Sequence, residues 1–132
     1  MNKKVLIVDD EPHIRLLMAQ TLEELEDEGV EILIAENGEE AIETIQTEKP
    51  DLVFLDVMMP KMNGFDVCYA VKNTLDIKDT YIIMLTAKGQ EFDKEKGQQS
   101  GADLYMTKPF DPDEIVEKSW EILGFWYQFL SV

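Results

Sequence analysis

The chain has 132 residues, 28 of them acidic and 12 basic, for a formal charge of -16. One compact domain is expected at this length, and 45% apolar residues can sustain a core that buries roughly two-thirds of the unfolded surface without disulfide or zinc staples. Low-complexity disorder is excluded, and so negative a surface repels phosphate backbones and anionic lipid heads, which removes nucleic acid and membrane surfaces as direct partners.

In chain order, residues 5–8 form a first apolar run between Lys3-Lys4 and Asp9-Asp10, too short for a signal peptide. No apolar run approaches the roughly 20 residues that span a bilayer, so a cytoplasmic chain is expected. Further apolar runs, rich in branched residues, lie at 31–35, 52–55, 81–85 and 102–106. Each reads as a strand with both sheet faces covered, because the apolarity is continuous and not alternating.

Between the strands the spacing turns helical. Pro12 suits the first turn of a helix whose stripe is Ile14, Leu17, Met18, Thr21, Leu22 and Leu25. Asn37 with Glu40 resembles a capping box for the second helix, and Asp111, Pro112 and Glu114 repeat that logic for the fifth. The third helix is expected from about Gly64 to Leu75, with Phe65, Val67, Cys68 and Val71 inward. The fourth, near Gln90 to Gln99, has one large apolar residue, Phe92, and an interrupting Gly97, which predicts low intrinsic stability. Cys68, the single cysteine, reads as a buried, inert thiol and fits a reducing compartment. Eleven acidic residues and no basic one between Leu16 and Glu48 read as a solvated face.

Five alternations of strand and helix imply right-handed crossovers and an open parallel sheet with helices on both faces. Ligands of such sheets bind outside the carboxyl ends of the strands. Those ends carry Asp9 and Asp10, Asp56, Thr86, and Lys108 with Pro109. Two carboxylates about 4 Å apart repel by roughly 4 kcal/mol at an effective dielectric of 20, so three together call for a cation. All-oxygen donors suit Mg²⁺ or Mn²⁺ better than zinc.

Val8-Asp9-Asp10-Glu11-Pro12, the run Asp51 to Pro60, Met62-Asn63-Gly64, Leu85-Thr86-Ala87 and Thr107-Lys108-Pro109-Phe110 together resemble the receiver domain of two-component response regulators, of the single-domain, chemotaxis-regulator-like type. The likeness runs from residue 3 to about 123 and divides the chain into a receiver domain at 1–123 and an aromatic tail at 124–132. It implies a flavodoxin-like, doubly wound (βα)5 three-layer sandwich with strand order 2-1-3-4-5. It makes Asp56 the phosphoacceptor, charged by a phosphohistidine of a sensor kinase or phosphotransfer protein. Asp10, Asp56 and the backbone carbonyl of Met58 would hold Mg²⁺, and Asp9 would act mainly through a bound water. Lys108, aimed by a cis peptide to Pro109, would neutralise the transferring oxygens; Thr86 would bond the phosphoryl group, and Tyr105 resembles the aromatic that swings inward in response. Such a domain is not an enzyme in its own right, although it assists its own phosphorylation and dephosphorylation, and it signals to a downstream protein.

Moving a two-state element from mostly off to mostly on takes roughly 5.5 kcal/mol, more than one new charge-assisted contact supplies, so the moving part should already be close to balance. The weak fourth helix with the loop at 87–90 fits that requirement. Leu104 departs from the family's second acidic residue after Asp103, and Gln98 and Gln99 replace small apolar residues. The fifth helix carries only Lys118 as a basic residue, which argues for a monomer or a weak phosphorylation-dependent dimer. His13 is read as a surface residue, and Met58, Met59 and Met62 as adaptable packing about the acidic pocket. No effector domain is expected to follow; the tail with Phe125, Trp126, Tyr127, Phe129 and Leu130 is expected either to extend the fifth helix along Ile115, Ser119 and Ile122 or to dock elsewhere once Gly124 ends it. An Asp-nucleophile phosphohydrolase of the haloacid dehalogenase type is the alternative, but it wants a second Asp two residues after the nucleophile, where Met58 stands.

Overall fold

A computed structural model describes residues 2–87 and 99–124. The expected fourth helix, apart from Gln99, and the aromatic tail lie outside the described residues. Strands β1 (Lys4–Val8), β2 (Glu31–Ala35), β3 (Leu52–Asp56), β4 (Tyr81–Ala87) and β5 (Leu104–Lys108) form one parallel sheet in the order β2-β1-β3-β4-β5. The helices are α1 (Pro12–Thr21), α2 (Glu23–Asp27), α3 (Gly38–Glu48), α4 (Gly64–Tyr69) and α5 (Pro112–Leu123). This is the flavodoxin-like order that the resemblance implies.

Two cores follow from the two-residue period of the strands. Val5, Ile7, Leu52, Phe54, Ile83 and Leu85 face one way, against Met18, Leu22 and Leu25 and against Ile115, Trp120 and Leu123 of α5. Leu6, Val8, Val53, Leu55, Ile82 and Met84 face the other, against Ala41 and Ile45 of α3 and Val67, Cys68 and Val71. The three central strands are buried on both faces, as continuous apolar runs require. The edges differ: β2, an edge strand paired with β1 alone, leaves Ile34 45% exposed, so the expectation of two covered faces fails at that residue.

Three details differ from expectation. The α1 stripe is narrower than predicted: Met18, Leu22 and Leu25 are buried and Ile14 packs against them, whereas Leu17 is 46% exposed. At 100° per residue Leu17 lies nearly perpendicular to that ridge. Strand five starts at Leu104 and not Ala102, because Asp103 already pairs with Ile82 through its backbone amide at 2.9 Å and its carboxylate at 2.8 Å, which occupies the first rung in a turn. The third helix spans the expected length, but after Tyr69 it widens into a π turn over Ala70–Thr74, with Leu75 N donating to Ala70 O. Val71 and Lys72 are both buried in that turn, and Lys72 pairs with Asp103 at 3.1 Å and donates to the Thr80 carbonyl.

Helix starts obey capping rules. The Asn37 side chain accepts from Glu40 N, and Asp111 accepts from Asp113 N and not from residue 114. The reciprocal box lies at α4, where Asn63 accepts from Asp66 N and Asp66 accepts from Asn63 N. Gly124, at φ +84, closes α5 in the left-handed conformation. His13 is exposed and meets Glu11, and Cys68 is buried and free, with burial pushing its thiol up to about 11.

Candidate functional site

Parallel pairing sets the ends of the central strands at one level. Val8 pairs with Leu55 and Asp56 with Leu85, so the residues that follow β1, end β3 and end β4 emerge on one edge. Ala87 pairs with Lys108 and brings the lysine to the same edge, with a cis peptide to Pro109. Gly64 lets the following helix pass under Asp56: its amide donates to Val57 O at 2.8 Å, and a Cβ there would meet the Asp56 carbonyl oxygen at 2.4 Å.

Asp9 and Asp56 are 1% and 5% exposed, and Asp10 is exposed. One carboxylate oxygen from each of Asp9, Asp10 and Asp56 lies within 4.8 Å of the others. Asp9 is fully committed: Oδ1 accepts from Glu11 N at 2.9 Å and Oδ2 accepts from Lys108 Nζ at 2.8 Å. Lys108 Nζ also lies 3.1 Å from Asp56 Oδ1, which accepts from Met58 N as well. The donor set therefore fits a hard divalent cation, with Asp10 and the second oxygen of Asp56 the carboxylate oxygens least engaged by the described residues.

Burial raises the Asp56 carboxyl and the Asp9 charge adds to this; Lys108 and the Met58 amide pull it back, and it settles at about 6. Burial alone would lower the Lys108 ammonium, but its bond to Asp9 and the charges of Asp56 and Asp9 outweigh that and hold it above the ordinary lysine range. The folded Asp56 thus binds its proton more tightly than the unfolded group at 3.8, so its contribution to stability is complete below about pH 4 and is lost as pH rises through about 6. In EDTA, Asp56→Asn is expected to melt higher than wild type at pH 7, with the gap shrinking as pH falls from 7 to 4; melting curves across that range check it, and a gap independent of pH would contradict the cause.

Two expected residues stand slightly apart. Thr86 Oγ1 donates to Met106 O at 3.4 Å, and the Tyr105 hydroxyl meets Ser100 Oγ at 3.5 Å. Tyr105 lies opposite Met84 on the face that carries Cys68 and Val71, and burial raises its phenol. Met58 exposes 57% of its surface, whereas Met59 is buried in the core that carries Val57 and Val67, and Met62 packs against it.

The family model of the response regulator receiver domain matches residues 5–119. The chain belongs to the response regulator receiver family. This receiver is 49% identical over 115 residues to the alkaline phosphatase synthesis transcriptional regulatory protein PhoP of Bacillus subtilis, covering 87% of the receiver chain and 46% of PhoP. It is 39% identical over 113 residues to protein PilG of Pseudomonas aeruginosa, covering 86% and 82% of the two. Among solved structures, the Vibrio cholerae chemotaxis protein CheY4 superposes with a TM-score of 0.79 at 34% identity, over 92% of this chain and 99% of that one. The receiver spans about half the length of PhoP and of the other transcriptional regulators it matches. It is a phosphorylation-dependent switch of two-component signalling, not a classic enzyme, and the family match favours that reading over a dehalogenase-type phosphohydrolase. Receivers bind Mg²⁺ at an acidic pocket, and Asp9, Asp10 and Asp56 form such a pocket here. No helix among the described residues is long and apolar enough to cross a membrane.

Arg15 is a residue that sequence reasoning missed. Its side chain is 13% exposed, and its guanidinium donates to the Asp9 carbonyl at 2.8 Å and pairs with Glu36 at 3.3 Å. The available signal was that Arg15 is the one arginine of the chain and falls six residues after Asp9.

Proposed function

We propose that Asp56 accepts a phosphoryl group from a phosphohistidine of a sensor kinase or phosphotransfer protein. The observation that carries this is the Asp56 carboxylate, buried at a strand end, with one oxygen held by Lys108 and Met58 N. Its other oxygen attacks phosphorus, the P–N bond breaks, and the imidazole leaves and takes up a proton. At pH 7 a group with a value of about 6 is mostly anionic, as a nucleophile must be. Lys108 faces the oxygens on which charge develops. Asp10, Asp56 and the Met58 carbonyl would hold Mg²⁺, with Asp9 acting through water, since both of its oxygens are already bonded. The metal supplies charge neutralisation at the transferring phosphoryl group.

Thr86 then exchanges its bond to Met106 O for a phosphoryl oxygen, and Tyr105 on the adjoining face follows. Leu16, Leu17 and Met58, all exposed, offer apolar contacts to the donor protein. The charge of -16 opposes direct contact between the receiver and DNA, so its output passes through protein contacts, in a cytoplasmic setting, as monomer or weak dimer. Incubation with acetyl phosphate and Mg²⁺ is expected to add one phosphoryl group in intact mass, and EDTA to prevent it; equal uptake in EDTA would count against the metal's part.

A further inference from the structure

Asp9 and Asp10 converge on Asp56 only if the peptide after β1 is held in one orientation, and the side chains that hold it can be identified. Asp9 N donates to Ala35 O at 3.3 Å, which ties β1 to the end of β2. Its carbonyl, on the opposite side of the residue, is taken by Arg15 Nη1 at 2.8 Å. The other arm of the guanidinium reaches Glu36 Oε1 at 3.3 Å, so one planar group spans the first turn of α1, the end of β1 and the turn after β2. With 13% of the side chain exposed, Arg15 is held far more tightly than a surface cation. Its fork accounts for the choice of arginine, since an ammonium cannot present two donors at fixed angles to two oxygens on different segments.

We propose that Arg15 is a positioning residue that orients the Asp9-Asp10 segment so that its carboxylates converge with Asp56 on a divalent cation. The inference rests on the metal reading given above. Orientation and charge pull in opposite directions here, which makes the sign of the effect informative. A positive group close to a cation site opposes binding, so on electrostatics alone Arg15→Gln would tighten Mg²⁺ and Arg15→Lys would leave it unchanged. If Arg15 positions the ligands, both variants bind more weakly, even though lysine keeps the charge. Groups that orient metal ligands from outside contribute roughly 10- to 100-fold in affinity.

The test is calorimetric titration of Mg²⁺ into wild type, Arg15→Gln, Arg15→Lys and Glu36→Gln, each with a melting curve. Arg15→Gln is expected to raise Kd about tenfold, Arg15→Lys by a smaller factor, and Glu36→Gln, which keeps the bond to Asp9, by less than about twofold. Amide NMR shifts of Asp10 in the metal-free Arg15 variants should move away from wild type while those of the sheet interior do not. Unchanged or tighter Mg²⁺ binding in both Arg15 variants overturns the inference alone, with the metal reading intact. A wild type that shows no Mg²⁺ binding overturns the metal reading and the inference with it. Should Arg15→Gln not fold, Arg15→Lys decides by the same criterion.

Discussion

The Lys108→Ala protein is expected to take up phosphoryl groups from acetyl phosphate at least about a hundredfold more slowly than wild type, the scale of losing one donor aimed at developing charge. Lys108 is the one cation among the described residues in contact with both buried carboxylates, at 2.8 Å from Asp9 and 3.1 Å from Asp56. Its removal leaves two acids that are 1% and 5% exposed facing each other, which costs about 3 kcal/mol when a buried pair loses its partner. Stability in EDTA should therefore fall together with the rate, and saturating Mg²⁺ should restore much of the stability and little of the rate. Phosphorylation time courses and urea melts with and without Mg²⁺ measure both. A rate within twofold of wild type would remove Lys108 from the chemistry.

Gly64→Ala is expected to damage the site through its backbone. The added Cβ falls 2.4 Å from Asp56 O and 2.9 Å from Val57 Cα, atoms that cannot rotate away. Alanine gains up to about 1 kcal/mol of helix propensity at such a position, while overpacking against fixed atoms costs roughly 1–3 kcal/mol. The net effect should be destabilisation, accompanied by displacement of Asp56 and slower phosphorylation. Gly38→Ala is the milder comparison: its Cβ would meet Met62 Cβ and Cγ at 2.9 Å and Sδ at 3.0 Å, of which Cγ and Sδ can turn away while Cβ moves only with its own backbone. It is expected to cost less than Gly64→Ala, at the lower end of the roughly 1–3 kcal/mol of overpacking. Equal melting temperatures and rates for wild type and Gly64→Ala would contradict the close approach under Asp56.

The acidic site was legible in the sequence because parallel strands must end on one edge. Asp9, Asp56 and Lys108 each stand at or just past the end of an apolar run, so the runs alone place these side chains together, and Thr86 ends a run on the same edge. What was hidden depends on pairings across the sheet. Lys72 carries no sign of burial in its local pattern, yet the π turn buries it against Asp103 and the Thr80 carbonyl, partners that lie eight or more residues away in the chain. The same Asp103 contact delays the start of β5 by two residues. Leu17 fits a helical stripe on spacing alone, but α1 covers β1 with a narrower ridge than the spacing allows. Asn63 followed by Asp66 was readable as a capping box, and only its place inside a longer motif obscured it. Arg15 was hidden for a further reason: its acceptor is a backbone carbonyl, which no side-chain pattern announces.

The central claim is that the phosphoryl group sits on the Asp56 carboxylate. Reduction of the acetyl-phosphate-treated protein with borohydride converts an aspartyl phosphate to homoserine, and peptide mass spectrometry locates the change. Homoserine is expected at residue 56 alone, absent in Asp56→Asn and in EDTA. Homoserine at Asp9 or Asp10, or uptake that persists unchanged in Asp56→Asn, would contradict it.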